Sequence, residues 1–193
     1  MLYLTKLPHS VQRGWRMEHE AGETLLAYAL KEEYGIFRMP RIEKEKRGKP
    51  YFPDHGRIYF NISHSAGMVV CALTGVELGV DIDHVRRVGE GLYDKVLSAK
   101  EREWVARQPE REEAFIRLWT LKESYVKAIG EGIAAELSSI EFILPDGCIT
   151  GEILCSREGY SFYQRKIGDK MYLALCVKGK SIPAGMKKLH IIF

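Results

Sequence analysis

A chain of 193 residues, 46% of them apolar, is long enough to bury one sizeable core or two small ones. Its formal net charge of +3, from 29 basic and 26 acidic side chains, is too slight to carry a nucleic-acid-binding reading. It favours at most an acidic or phosphorylated partner. The longest apolar run, Met68 to Leu73, is far too short for a bilayer span, and MLYLTKLPHS has no basic stretch followed by an apolar core. A soluble, cytoplasmic protein with neither membrane nor nucleic acid as partner is therefore expected. The four cysteines form no C-x-x-C pair, and Cys71 and Cys176 sit in apolar, strand-like runs that suit reduced, buried thiols.

In chain order, residues 2–7 read as a strand closed by Pro8. Residues 18–34 read as a helix with Leu25, Leu26, Ala29 and Leu30 on its apolar face and Gly35 as its stop. Residues 38–53 are polar, basic and bracketed by prolines. This loop ends in Gly48-Lys49-Pro50, where the proline holds the lysine extended. Residues 57–62 and 67–73 read as strands around a turn at Ser63-His64-Ser65-Ala66, and residues 77–82 as a further strand. Residues 84–98 are irregular or briefly helical, with Arg86 and Arg87 near the start. Ser98 and Glu101 form a capping-box pattern at the head of a helix over 99–107, which Pro109 ends.

Residues 111–132 read as one long helix stopped by Gly130 and Gly132. Phe115, Leu118, Trp119, Tyr125, Val126 and Ile129 fall in an arc of roughly 120° at about 100° per residue. Four strands are expected after it, over 138–144, 148–154, 160–166 and 171–177, with turns at Leu144-Pro145-Asp146-Gly147 and Gly168-Asp169. The tail, 178–193, says little. Strand, helix and strand pair thus occur twice, outside strict βαβ order. The expected class is α+β, built as two similar halves, 1–76 and 77–193, with a cleft between them.

Asp81 and Asp83 are two apart on a strand, so both side chains point one way while Ile82 faces the other. Such a pair is either a solvated sheet face or half of a cation site. Glu123 on the long helix would be a third oxygen donor, a set that suits magnesium bridging to substrate phosphates. Lys122 and Lys127 beside it would neutralise phosphate oxygens. The plain alternative for Glu123 and Lys127 is a surface i,i+4 pair contributing about 0.2–0.5 kcal/mol. Lys122, near the middle of the apolar arc, needs a route to water or a buried anion.

Gly79-Val80-Asp81-Ile82-Asp83 and Trp119-x-x-Lys122-Glu123-x-x-x-Lys127 resemble paired signatures of the 4′-phosphopantetheinyl transferases. Gly48-Lys49-Pro50 and Phe60-Asn61-Ile62-Ser63-His64-Ser65 resemble two further signatures of the two-halved, surfactin-type members. The resemblance implies a pseudo-twofold relation of the halves with the active site in the cleft. It implies transfer of the 4′-phosphopantetheine arm of coenzyme A to a serine of an apo acyl or peptidyl carrier protein, releasing adenosine 3′,5′-bisphosphate. By the same resemblance, Asp81, Asp83 and Glu123 hold magnesium, while Lys127 and Lys122 stabilise charge on the phosphates. Glu123 is also the candidate base, directly or through water. Gly48, Lys49 and Pro50 line the adenine pocket, Ser63 and His64 lie near the phosphates, and Thr24 lies near the 3′-phosphate. A monomer is expected, since one chain supplies both halves.

Three departures from the family pattern stand out. Asp83 replaces the usual glutamate, Glu23 stands where a basic residue is common, and Arg13 and Arg16 are only candidates for the N-terminal basic residues of longer members. Glu101 matches an acidic position of the family, although its capping role alone would account for it. A non-catalytic module that binds coenzyme A or a carrier protein is the alternative function.

Overall fold

The computed structural model describes residues 1–8, 14–132, 136–144 and 151–192. His9, Arg13, the expected Pro145–Gly147 turn and Cys148 lie outside these.

The chain opens with β1 (Leu2–Lys6) and α1 (Trp15–Tyr34), followed by the short ribbon β2 (Glu43–Lys44) and β3 (Pro50–Tyr51). The hairpin β4 (Tyr59–Ser65) and β5 (Met68–Thr74) completes the first half. The second half begins with β6 (Leu78–His84) and continues through α2 (Glu90–Val96), α3 (Ala99–Arg107) and α4 (Arg111–Ile129). After α4 come β7 (Phe142–Ile143), β8 (Gly151–Cys155), β9 (Tyr160–Ile167), β10 (Met171–Lys178) and β11 (Leu189–Ile192).

The first sheet runs β11-β1-β5-β4 and the second β6-β10-β9-β8-β7. In each, the opening strand lies antiparallel to the last strand of the following hairpin: β1 to β5, and β6 to β10. The helix between them covers one face. These are the two similar α+β halves expected from the sequence.

Strand alternation sorts the side chains into three cores. Val69, Cys71 and Leu73 of β5 meet Leu25, Leu26 and Leu30 of α1. The opposite residues, Val70 and Ala72, join Leu2 and Leu4 against Leu78, Val80 and Ile82 of β6, which seals the two sheets together. Tyr172, Ala174 and Cys176 of β10 pack under Phe115, Leu118 and Leu121 of α4.

The expected apolar arc understates how deeply α4 lies. Arg117, Thr120, Lys122 and Ser124 are buried along with its apolar residues, because β6, β10 and α3 enclose the helix. Gly79 sets the closest approach: a Cβ there would stand 2.0 Å from the Ser124 carbonyl oxygen. Only a residue without a Cβ lets α4 lie on β6 at this point.

Two boundaries differ from expectation. β4 continues through Ser63, His64 and Ser65, and the turn falls at Ala66 (φ 51°) and Gly67 (φ 79°). A two-residue hairpin turn of this hand needs positive φ at both positions, which the polar Ser-His-Ser run does not supply. The tail returns to the first sheet, where β11 lies parallel to β1. Residues 189–192 therefore belong structurally with the N-terminal half rather than with the segment they follow.

Candidate active site

The seam between the halves is stitched by side chains. Asn61, Ser63 and Ser65 alternate along β4 and point at the outer edge of β6, where β6 has no neighbouring strand on the β4 side. The Asn61 side-chain oxygen Oδ1 accepts the Val80 N–H at 2.9 Å, and Ser63 Oγ accepts the Ile82 N–H at 3.3 Å. The same hydroxyls reach the carboxylates: Ser63 donates to Asp81 at 2.8 Å and Ser65 to Asp83 at 2.7 Å.

Across the seam, α4 presents a stripe at four-residue spacing, Trp119, Glu123 and Lys127. All three are partly open to solvent, as is Tyr125 on another face of the helix. Lys127 donates to Asp81 at 2.6 Å and to Ser63 at 2.9 Å. Asp81, Asp83, Glu123, Lys127, Ser63 and His64 all line one cleft of about 590 Å³. Glu123 and Lys127 also line the neighbouring pocket of about 280 Å³, together with Gly48, Lys49 and Pro50. The residues from four separate sequence segments thus form one continuous groove.

The charges in the groove are unevenly neutralised. Burial, then the Asp81 charge, raises the Glu123 carboxyl above the ordinary glutamate range; Lys127 opposes this and Asp83 adds to it. Asp83 goes the other way. Burial pushes it up, but hydrogen bonds from Arg86 and Ser65 outweigh burial and hold it below the usual range. Arg86 approaches Asp83 to 2.5 Å. With Lys127 on Asp81 and Arg86 on Asp83, no three acidic, histidine or cysteine side chains among the described residues close on a common point. Asp81, Asp83 and Glu123 nevertheless share one cleft, and the carboxylate repulsion that adds to burial at Glu123 is of the kind a hard divalent cation relieves.

Two expected site residues are placed elsewhere. Lys122 is fully buried and lines neither part of the groove. Its ammonium group donates to Glu101 at 2.5 Å, to the Val96 carbonyl at 2.7 Å and to the Leu137 carbonyl at 3.0 Å, which uses all three hydrogens. Glu101 in turn accepts from the Ser98 and Phe142 N–H groups at 2.9 and 3.0 Å, and the capping box is formed. The buried anion that Lys122 required is Glu101, and the pair ties α2, α3 and α4 together. Thr24 donates to the Glu20 carbonyl at 2.9 Å and lines a separate groove with Leu7, Met17 and Tyr28. Its helical position turns it away from β4.

Lys49 lines the groove with its stem, while its ammonium group caps the Ala128 carbonyl at the C-terminal end of α4. Arg47, which the motif reading passed over, lines the same pocket and pairs with Glu131 at 3.7 Å. Glu18, His84 and Arg86 are further cleft residues outside the motifs, and Ser65 lies inside one that gives it no role. The alternation Asn61, Ser63, Ser65 could have revealed Ser65. No sequence signal marks Glu18.

Comparison with known proteins adds the family. A profile described as the 4′-phosphopantetheinyl transferase superfamily matches residues 77–176. The 4′-phosphopantetheinyl transferase psf-1 of Bacillus pumilus is 36% identical over 61% of this chain and 52% of its own length. The enzyme named 4′-phosphopantetheinyl transferase ffp of Bacillus subtilis is 30% identical over 68% of this chain and 61% of its own. Sfp of Bacillus subtilis strain 168 carries the same description and is 26% identical over 84% of this chain and 74% of its own. The chain thus spans about half to three quarters of the length of these relatives. The profile match covers β6, α4 and the seam carboxylates, and the chain belongs to the 4′-phosphopantetheinyl transferase superfamily.

Proposed function

We propose that this protein transfers the 4′-phosphopantetheine arm of coenzyme A to a serine of an apo acyl or peptidyl carrier protein. The observation that carries this reading is the meeting of Asp81 and Lys127 at 2.6 Å, with Glu123 on the same cleft wall, between halves joined by Ser63 and Ser65. In this reading the narrower pocket beside Gly48, Lys49 and Pro50 takes the adenine end, and the wider cleft takes the pyrophosphate.

Asp81, Asp83 and Glu123 would hold magnesium, which when bound polarises the pyrophosphate phosphorus and offsets charge on its oxygens. The chain's own residues do the rest. Lys127, already in the cleft, neutralises charge that builds on the phosphate oxygens during transfer. The carrier serine oxygen forms a bond to the phosphorus that bears the pantetheine arm. The bond from that phosphorus to the nucleotide breaks, leaving adenosine 3′,5′-bisphosphate. Glu123, on the cleft wall beside Asp81, takes the serine proton, directly or through a water. Lys122 supports the helix that carries these groups rather than touching the phosphates.

No helix among the described residues is long and apolar enough to cross a membrane. One chain supplies both walls of the groove, which suits a monomer, and the carriers it serves are taken to be cytoplasmic. The test is mass spectrometry of apo-carriers incubated with coenzyme A, with and without magnesium. A gain of the arm's mass that needs magnesium and is lost on chelation supports the reading. Binding of coenzyme A and carrier with no mass gain would identify a binding module instead.

A further inference from the structure

We infer that Glu18 is a positioning residue for His64, holding its ring so that Nε2 is the nitrogen offered to an anionic oxygen of the ligand. Naming that oxygen as a phosphate of coenzyme A rests on the function proposed above. The placement of Glu18 does not.

The geometry begins at Gly22. A Cβ at this position would stand 2.9 Å from Ile62 Cγ2, so α1 lies close on β4 there. Glu18 is one helical turn earlier on the same face and is thereby carried over the β4–β5 turn. One carboxylate oxygen accepts the Gly67 N–H at 2.7 Å, and the other lies 2.8 Å from His64 Nδ1. The Leu7 N–H donates to the Gly67 carbonyl at 2.8 Å, so the turn is held from two sides. Such support matters because Ala66 keeps a left-handed conformation despite its Cβ.

Both side chains are largely withdrawn from solvent, Glu18 at 13% exposure and His64 at 24%. An ionised carboxylate only accepts hydrogen bonds, so Nδ1 of His64 carries the hydrogen in this contact. With Nδ1 committed to Glu18, Nε2 is the ring nitrogen left to meet a ligand, and it donates to an anionic oxygen when the ring binds as the imidazolium, in which both nitrogens carry hydrogen. Glu18 and His64 line the same cleft as Asp81, Glu123 and Lys127. A carboxylate from the first half thus sets the orientation of a group that faces the carboxylates of the second. Its sequence position, 46 residues before His64, gives no hint of this.

A double-mutant cycle on the full chain tests the inference, with coenzyme A as the probe and calorimetry as the readout. Glu18→Ala and His64→Ala should each weaken binding about tenfold, and the double variant should be no weaker than either single one. Additive losses, or unchanged affinity in Glu18→Ala with only a lower melting temperature, would overturn it. Should Glu18→Ala fail to fold, Glu18→Gln replaces it. The amide keeps one accepting oxygen but cannot accept from both Gly67 and His64, so binding should still weaken. Nitrogen-15 spectra of the histidine rings provide a readout that needs no coenzyme A. A hydrogen on His64 Nδ1 in the wild type, lost in the Glu18 variant, supports positioning; its absence from the wild type overturns it. If the wild-type chain binds no coenzyme A while the ring spectra behave as expected, the proposed function fails and the positioning role stands.

Discussion

Lys122 and Lys127 are five residues apart, about 140° around α4, and this rotation separates a buried charge from one that lines the groove. Removing Lys122 strands the Glu101 carboxylate at 3% exposure. Lys122→Ala should therefore lower stability by about 3–5 kcal/mol, read as a fall in the denaturant midpoint. Glu123→Gln should behave in the opposite way. Folding raises the proton affinity of Glu123, so its ionised form weighs against the folded state near neutral pH. The neutral amide relieves that repulsion. Metal-free Glu123→Gln should melt no lower than wild type, while transfer falls by about 10²–10⁴ in kcat; equal kcat would remove Glu123 from the chemistry. The sequence alone could place both lysines beside Glu123 but could not choose between them. The choice depends on where α3 carries Glu101, a tertiary fact with no local signature.

Among the elements, α4 and β6 depend on each other most. Gly79→Ala would place a methyl group 2.0 Å from one α4 carbonyl and 2.4 Å from the Ala128 nitrogen. The helix must shift, at a cost of about 3 kcal/mol, the upper end for overpacking. Because the shift separates Glu123 from Asp81, kcat should fall even in the fraction that stays folded. The other end of α4 is fixed by Glu113, which accepts hydrogen bonds from Lys166 at 2.7 Å and from the Tyr172 hydroxyl. Burial raises the Glu113 carboxyl, but these donors outweigh it and hold it below the ordinary range. A carboxyl depressed by folding contributes stability that is present above its unfolded pKa and is lost as pH falls through the folded one. Glu113→Gln should thus be less stable than wild type at neutral pH, with the gap closing below about pH 4.5 as the wild-type carboxyl protonates. Equal stability at both ends of an acid titration would contradict this. Local signals announced these helices well: the Ser98–Glu101 box and the Gly130 stop are both where the sequence puts them. The β4–β5 turn was misplaced by a few residues because Ser63, His64 and Ser65 look like turn residues. Their polarity instead serves the seam and the cleft.

For the molecule as a whole, the doubled strand–helix–hairpin plan was legible because each half repeats the same order of elements. The return of the tail was not. Residues 189–192 read Leu-His-Ile-Ile, a pattern that fits many strands, and nothing local says that its neighbour is β1, at the other end of the chain. That return has a consequence for the chain's connectivity. Cut between residues 75 and 76, the protein would become two fragments, of which the C-terminal one carries the strand that borders the N-terminal sheet. The halves would then find each other by strand complementation as well as by the Leu2, Val70, Val80 and Leu173 core. Reassembly should be bimolecular, with a rate proportional to fragment concentration, and should restore activity only on mixing. Shortening the C-terminal fragment by β11 should weaken the association while leaving every residue of the groove in place.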